Sequence, residues 1–401
     1  MSHLQEIIDY HLGGKIGVQL TKPLCNQKEL SLAYTPGVAE ICRIIEKEPK
    51  RLGALSLKGN SVAVITDGTA VLGLGDIGPR ASIPVMEGKA ALFKAFAGID
   101  AWPVPIESGH DTELFISTVK AISCMYGGIN LEDIAAPRCF EIEDRLAKEL
   151  DIPVFHDDQW GTAVIVLAAL ENYALVAKKA PTSLKIIVNG AGAAGLRITQ
   201  MIKEKGMADV TVCDKKGVLS HHQNDMDKYK MAHVRTTENK TLADAMRGAD
   251  VFIGVSGPNC VSAEMVLSMN SFPAIFAMAN PDPEIRPQIV QEALKGKPFV
   301  LATGRSDYPN QINNVLGFPY IFRGALDARA TSITMNMKLA ASAALAELAR
   351  KLPVPKEVEK AYGRSFEFGA NYLVPTPFDP RLNVVVSKAV FDAAIKDGVS
   401  S

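Results

Sequence analysis

The sequence lacks any pair of cysteines close enough for a CxxC motif. Its six cysteines (Cys25, Cys42, Cys124, Cys139, Cys213 and Cys260) are scattered over 401 residues. Neither a zinc knuckle nor a thioredoxin-type redox pair is indicated, and reduced thiols acting as small apolar residues in a cytosol are expected. An excess of one charge is also lacking: Lys+Arg 43 against Asp+Glu 44 leaves a net charge of −1. Such a balance provides no general field for nucleic acid or an anionic membrane, so neither is expected as a partner. The start, MSHLQEIIDYH, has no basic stretch followed by an apolar one, so a secretory signal is not expected. Long hydrophobic runs are scarce. The most apolar stretch, Thr162 to Ala177, is broken by Glu171 and Asn172 and reads as a core helix too short to span a bilayer. No internal repeat or low-complexity segment is visible.

What is present is ordinary globular material, with 47% hydrophobic and 22% charged residues, enough to bury a sizeable core. The length suggests about two domains, and the location expected is cytoplasmic. From about residue 60 strands and helices alternate. SVAVIT (61–66) is β-branched and ends at Asp67-Gly68. Pro84 opens a helix running to about Phe96, and IDAWPVPI (99–106) reads as a strand that its prolines place at a sheet edge. A helix from Asp111 to Tyr126, a strand at 129–134, a helix from Pro137 to Leu150 and a strand at 152–156 follow. A second run has strands at 184–189, 210–214, 250–256, 274–279 and 299–303. The fold class expected is α/β: an N-terminal α/β domain over 1–160, then a Rossmann-type, doubly wound parallel-sheet domain over 161–401. The Ala-rich helical tail, punctuated by Pro353, Pro355, Pro375, Pro377 and Pro380, is expected to pack back onto one of them.

Residues 190–195 read GAGAAG, with Gly190, Gly192 and Gly195 in GxGxxG register around Ala193 and Ala194. A strand precedes this turn, a helix follows it, and Asp214 ends the next strand. Those three contexts turn a weak motif into a dinucleotide site. Asp214 suits the ribose hydroxyls of NAD, whereas Lys215 and Lys216 can offer charge to the 2′-phosphate of NADP, so both cofactors stay open.

Glu132 and Asp133 end one predicted strand, and Asp157 and Asp158 end the next. A right-handed crossover puts both ends on one edge of a parallel sheet, where ligands bind. Three or four carboxylates there repel one another unless a cation such as Mg²⁺ or Mn²⁺ sits among them. A helix cap or a solvated loop explains such acids as well. On the Pro84 helix, Val85, Lys89, Leu92 and Phe96 share one stripe whose only charge is Lys89. Snorkelling is the common outcome there; true burial would lower its pKa and fit it for general-base work. Tyr34 lies beside a Pro-Gly turn, where packing is the ordinary role.

Together, SLAYTPGVAE (31–40), VITDGTAVLGLGDIG (64–78), IPVMEGKAALF (83–93), NLEDI (130–134), VFHDDQWGTA (154–163), VNGAGAAG (188–195), ANPDPEI (279–285) and ATGRSDYPNQINN (302–314) resemble malic enzymes of the short bacterial type. The resemblance runs from about residue 15 to about residue 340. It implies Tyr34 as general acid, Lys89 as general base, and Glu132, Asp133 and Asp158 as ligands of Mg²⁺ or Mn²⁺. It further implies Asn280 at the cofactor and substrate, and Asn314, in preference to Asn313, at the substrate. The activity implied is oxidative decarboxylation of (S)-malate to pyruvate and CO₂ with NAD(P) reduction, in a homodimer. Malolactic enzyme and a non-decarboxylating 2-hydroxy-acid dehydrogenase are the alternatives. Two departures stand out. Ala70 occupies the place where longer eukaryotic relatives carry a carboxylate-binding arginine, and the extra C-terminal domain of some bacterial forms is not expected.

Overall fold

Two parallel sheets carry the chain. The computed structural model describes residues 3–71, 73–224, 226–305, 307–351 and 353–400. Leu72 and Ser306, which belong to two of the family segments, lie outside the described residues.

The first sheet has the order β2-β1-β3-β4, with β1 Ser61–Thr66, β2 Asp100–Pro105, β3 Gly128–Leu131 and β4 Val154–His156, all parallel. All six residues of β1 are buried, as the uninterrupted apolar run requires of a central strand covered on both faces. β2, with Pro103 and Pro105, is an edge strand, as its prolines indicate.

The second sheet has the order β10-β9-β8-β5-β6-β7. Its members are β5 Lys185–Asn189, β6 Asp209–Asp214, β7 Gly217–Val218, β8 Val251–Gly254, β9 Ala274–Ala277 and β10 Val300–Thr303. Five strands are parallel, and the two-residue β7, which the sequence did not suggest, pairs antiparallel to β6. The chain winds outward from β5 in both directions, so a topological switch point falls between β5 and β8, the arrangement of a doubly wound fold.

The Asp157–Val176 helix joins the two sheets. It begins five residues earlier than the apolar stretch suggested, and at 20 residues it is long and apolar enough to cross a membrane. Its most apolar window is 78% buried within the fold, which accounts for its composition without a bilayer. It packs between the Ala193–Glu204 and Met335–Arg350 helices.

The tail does fold back. The Phe318–Asp327 helix sets Phe318 and Phe322 edge-on against Phe93 of the first sheet's Ile83–Ala97 helix, with centroids 4.8 and 5.3 Å apart. Such pairs add about 0.5–1.5 kcal/mol each beyond the area they bury. The Arg381–Lys396 helix then lies across Phe318–Asp327. Any side chain at Gly324 would place its Cβ 2.4 Å from the Ser387 carbonyl oxygen.

Candidate active site

On the Ile83–Ala97 helix the buried stripe is Met86, Ala90, Phe93 and Ala97, one position along from the expected Val85–Phe96 stripe; Val85 is exposed. This offset turns Lys89 sideways, off the apolar stripe and toward the carboxyl edge of the first sheet. There its Nζ lies 2.6 Å from Asp157 Oδ2, 2.9 Å from Glu132 Oε1 and 4.3 Å from the Phe318 ring centroid, with its side chain 11% exposed.

The two acid pairs arrive as the crossover argument requires. Leu131 of β3 pairs with His156 of β4, so Glu132-Asp133 and Asp157-Asp158 leave the same edge side by side. Asp157 and Asp158 open the helix as its first two residues, rather than capping it from outside, where their charge complements the helix N-terminus. Asp133 has φ 54°, in the left-handed region. Its N–H donates to Asp158 Oδ2 at 2.8 Å, and its carbonyl accepts from Ala70 N at 2.9 Å. These bonds turn the Asp133 carboxyl into the cluster. Oxygens of Glu132, Asp133 and Asp158 lie within 4.8 Å of one another.

Four carboxylates share one ammonium here, and the electrostatics show the excess. Burial, with the Asp158 charge added, pushes Asp133 up to about 8 against the pull of Lys89. Burial also lifts Glu132 well above the carboxylate range, Lys89 again opposing. For Lys89 burial alone would lower the pKa, as the sequence reading supposed. Asp157, Glu132 and Asp158 outweigh it and hold the ammonium above its ordinary value. Asp133 Oδ2 is buried with no hydrogen-bond partner. A hard, oxygen-only donor set with excess charge and an unpaired carboxylate oxygen fits Mg²⁺ or Mn²⁺.

Asp157 is fully buried and belongs to Lys89 rather than to the trio. Asn314 steadies this pair: its Nδ2 donates to Asp157 Oδ2 at 3.0 Å, and its Oδ1 accepts from Thr162 at 2.9 Å. Asn313 instead caps the short turn that follows, its Oδ1 accepting from Val315 N.

The Gly-rich turn sits at the switch point of the second sheet. A Cβ at Gly195 would lie 1.7 Å from the Gly190 carbonyl oxygen, and Gly190 itself has φ 128°, so only glycine serves at either position. Gly192 faces open space, and Ala193 and Ala194 begin the Ala193–Glu204 helix, whose free N–H groups suit a pyrophosphate. Asn280, after β9, packs against Gly304, while the adjoining Pro281 lies against Gly73 from the first sheet. The loops that follow β1 and β9 thus meet at this point.

Tyr34 is not brought into this cluster. It is 69% exposed on the turn after the Gln27–Ala33 helix, and among the described residues none of the cluster's hydrogen bonds involves it. Conversely, sequence reasoning missed Glu143. This buried carboxylate accepts the His156 N–H and the Trp160 indole N–H, both at 3.0 Å, and lies 3.5 Å from Arg197 of the dinucleotide helix. It fixes the β4 turn that presents Asp157 and Asp158. An acid between Phe140 and Leu146 on an apolar helix face was the available signal.

A Rossmann-type sheet with a Gly-rich turn, joined to a sheet whose carboxyl edge carries a carboxylate trio, is the arrangement of a nicotinamide-dinucleotide oxidoreductase. The chain belongs to the malic enzyme family: residues 13–147 match the malic enzyme N-terminal domain and residues 160–358 the malic enzyme NAD binding domain. It is 48% identical to the NADP-dependent malic enzyme of Halomonas elongata, over 99% of this chain and 94% of that one. It is 46% identical to the NAD-dependent malic enzyme of Geobacillus stearothermophilus, over 97% and 78% of the respective chains. The crystal structure of malic enzyme from Pyrococcus horikoshii superposes with a TM-score of 0.89 at 41% identity, covering 99% of this chain and 92% of that one. Of other NADP-dependent relatives the chain spans only about half the length, 52%.

Proposed function

We propose that this chain catalyses the divalent-cation-dependent oxidative decarboxylation of malate to pyruvate and CO₂, with reduction of NAD(P)⁺. The observation that carries the reading is Lys89 paired to Asp157 and Glu132 beside an over-charged carboxylate trio, in a chain whose second sheet carries the Gly190–Gly195 turn.

Glu132, Asp133 and Asp158 would hold Mg²⁺ or Mn²⁺, which supplies Lewis-acid polarisation of the substrate oxygens and offsets the negative charge that CO₂ loss leaves. NAD(P)⁺ at the Gly-rich turn supplies the hydride acceptor. Lys89 Nζ takes the C2 hydroxyl proton, held in place by Asp157, which Asn314 in turn orients. Asp157, Glu132 and Asp158 hold Lys89 protonated, and a cation at the trio would offset the Glu132 and Asp158 charges and ease its proton loss. Asn280 and Asn314 contribute to carboxylate binding in place of the arginine that Ala70 replaces. Tyr34 protonates C3 to give pyruvate. The functional division falls near 160/161, just after the acids that open the Asp157–Val176 helix.

The enzyme works as a homodimer in which a second copy covers the N-terminal segment and Tyr34 serves the neighbour's site. The His3–His11, Gln27–Ala33 and Gly37–Lys47 helices bury no residue, and Tyr10, Leu12, Val18, Leu20 and Leu32 are exposed, as is Tyr34. Apolar surface of this extent marks an interaction site. A cytoplasmic location fits the six unpaired cysteines.

In an assay with malate, Mn²⁺ and dinucleotide, pyruvate and NAD(P)H should form in equal amounts. Lactate with no net NAD(P)H would establish the malolactic reaction instead. Accumulation of oxaloacetate without CO₂ would leave a plain dehydrogenase. Sharing of the site is tested by mixing inactive Tyr34→Phe and Lys89→Ala proteins under subunit exchange. One competent site per heterodimer should restore about a quarter of wild-type activity for random pairing. No recovery would place Tyr34 in its own subunit's site.

A further inference from the structure

The dinucleotide turn and the carboxylate trio belong to different sheets, yet hydride transfer needs donor and acceptor carbons held at one fixed distance. A side chain is placed to hold it. Arg197 lies on the Ala193–Glu204 helix that the Gly-rich turn opens, four residues after Ala193. Its guanidinium reaches across to elements of the first sheet. Nε donates to Gln159 Oε1 at 2.8 Å, and Nη2 lies 3.4 Å from Asp144 Oδ1 and 3.5 Å from Glu143 Oε2. The guanidinium carbon stands 4.5 Å from the Trp160 ring centroid and 5.2 Å from that of Phe140. Gln159 and Trp160 directly follow Asp157 and Asp158, so this side chain grips the very turn that presents the acids.

The contact is built rather than incidental. The Arg197 side chain is only 13% exposed, and Nη1 returns to Gln200 of its own helix at 3.0 Å, which fixes the rotation of the plane. Its partners are tied in turn. Gln159 Nε2 donates to the Cys139 carbonyl at 3.3 Å, and Glu143 already holds His156 and Trp160. From the Met335–Arg350 helix the buried Lys338 sets its Nζ 3.5 Å from the centre of the same indole. Apolar residues of like volume would serve stability as well as such buried charges or better. What they lack is direction: a guanidinium is a rigid fork whose bonds specify both spacing and angle.

We propose that Arg197 is a positioning residue that registers the dinucleotide helix against the Asp157-Asp158 turn and so sets the hydride-transfer distance. It acts through Gln159, Trp160 and Glu143 rather than on the substrate. The inference deepens the function proposed above and rests on it.

The test compares the full-length wild type with Arg197→Met, Arg197→Lys and Gln159→Met. The relaxation that bound Mn²⁺ imposes on the nicotinamide protons of NAD(P)⁺ reports their separation without any turnover. With both ligands saturating, it should be at least about twofold weaker in Arg197→Met, as a displaced dinucleotide helix requires. The separate affinities for Mn²⁺ and dinucleotide should stay within about threefold of wild type, which shows that each half is still folded. The kcat for malate oxidation should fall by about 10²-fold, the scale of a small misplacement, with a larger isotope effect from [2-²H]malate. Oxaloacetate decarboxylation, which needs no hydride acceptor, should be retained. Arg197→Lys should not rescue, because the ammonium lacks the planar fork. Gln159→Met should weaken the relaxation from the other side of the contact, and adding it to Arg197→Met should bring little further change. Unchanged relaxation in Arg197→Met with both ligands bound, or equal loss of oxidation and decarboxylation, overturns the positioning role alone. A wild type that binds neither Mn²⁺ nor dinucleotide removes the proposed function and this inference with it.

Discussion

Lys89→Ala is expected to lower the rate of malate oxidation by about 10³-fold, within the range for losing a positioned general base. Decarboxylation of added oxaloacetate should fall far less. The base is needed only while the C2 hydroxyl gives up its proton, and oxaloacetate has none to give. The substitution also strips Asp157 of its partner, and an uncompensated buried charge costs about 3–5 kcal/mol. Reduced thermal stability is therefore expected alongside the kinetic effect. Retained oxaloacetate decarboxylation shows that the fold has survived. Equal loss of both activities would count against Lys89 as the base and leave it a structural counterion.

Mn²⁺ should stabilise the protein, and by more at high pH than at low. A carboxyl whose folded pKa is raised keeps its proton in the folded chain after the unfolded chain has lost it. The stability contribution of Asp133 therefore declines as pH climbs from its ordinary value near 4 through about 8. A cation takes the proton's place, so its benefit grows across the same window. At about a hundred times its Kd it should add about 2.7 kcal/mol. Asp133→Asn should make the metal-free protein more stable than wild type at pH 8 and remove most of the Mn²⁺ response. Asp158→Ala should likewise raise the metal concentration needed for turnover. Unfolding curves with Mn²⁺ and with EDTA at pH 5 and pH 8 provide the check. A Mn²⁺ shift independent of pH, or untouched by Asp133→Asn, would remove Asp133 from the cation site.

Much of this architecture could be read before any coordinates, and the exceptions have physical causes. β1, β5 and β8 are β-branched or aromatic runs bounded by turns, and such runs leave little choice of structure. The facing of Glu132-Asp133 and Asp157-Asp158 followed from crossover handedness alone. The stripe on the Ile83–Ala97 helix was misplaced by one residue. Lys89–Leu92–Phe96 and Met86–Ala90–Phe93–Ala97 both satisfy helical spacing, and only the packing of Phe93 against Phe318 and Phe322 decides between them. Helical spacing leaves Lys89 either snorkelling or buried with a lowered pKa; its side chain is largely buried, and its pKa is raised. The sign of the shift depends on how many carboxylates surround the ammonium, which is a tertiary quantity. The position of Tyr34 was illegible for a related reason. The helices on either side of it bury no residue within this chain, so spacing within one sequence cannot place it.

The two prolines of β2 bear on how copies of this protein can meet. Ile106 donates its N–H to Thr66 of β1, and backbone direction alternates along a strand. Residues 103 and 105 therefore turn their nitrogens outward, and as prolines they have no hydrogen to offer there. Another strand approaching this edge would find neither of those donors, so continuation of the first sheet along β2 is disfavoured. A strand laid along this edge would leave two of its own carbonyls without donors, which costs a sheet extension its hydrogen bonds there.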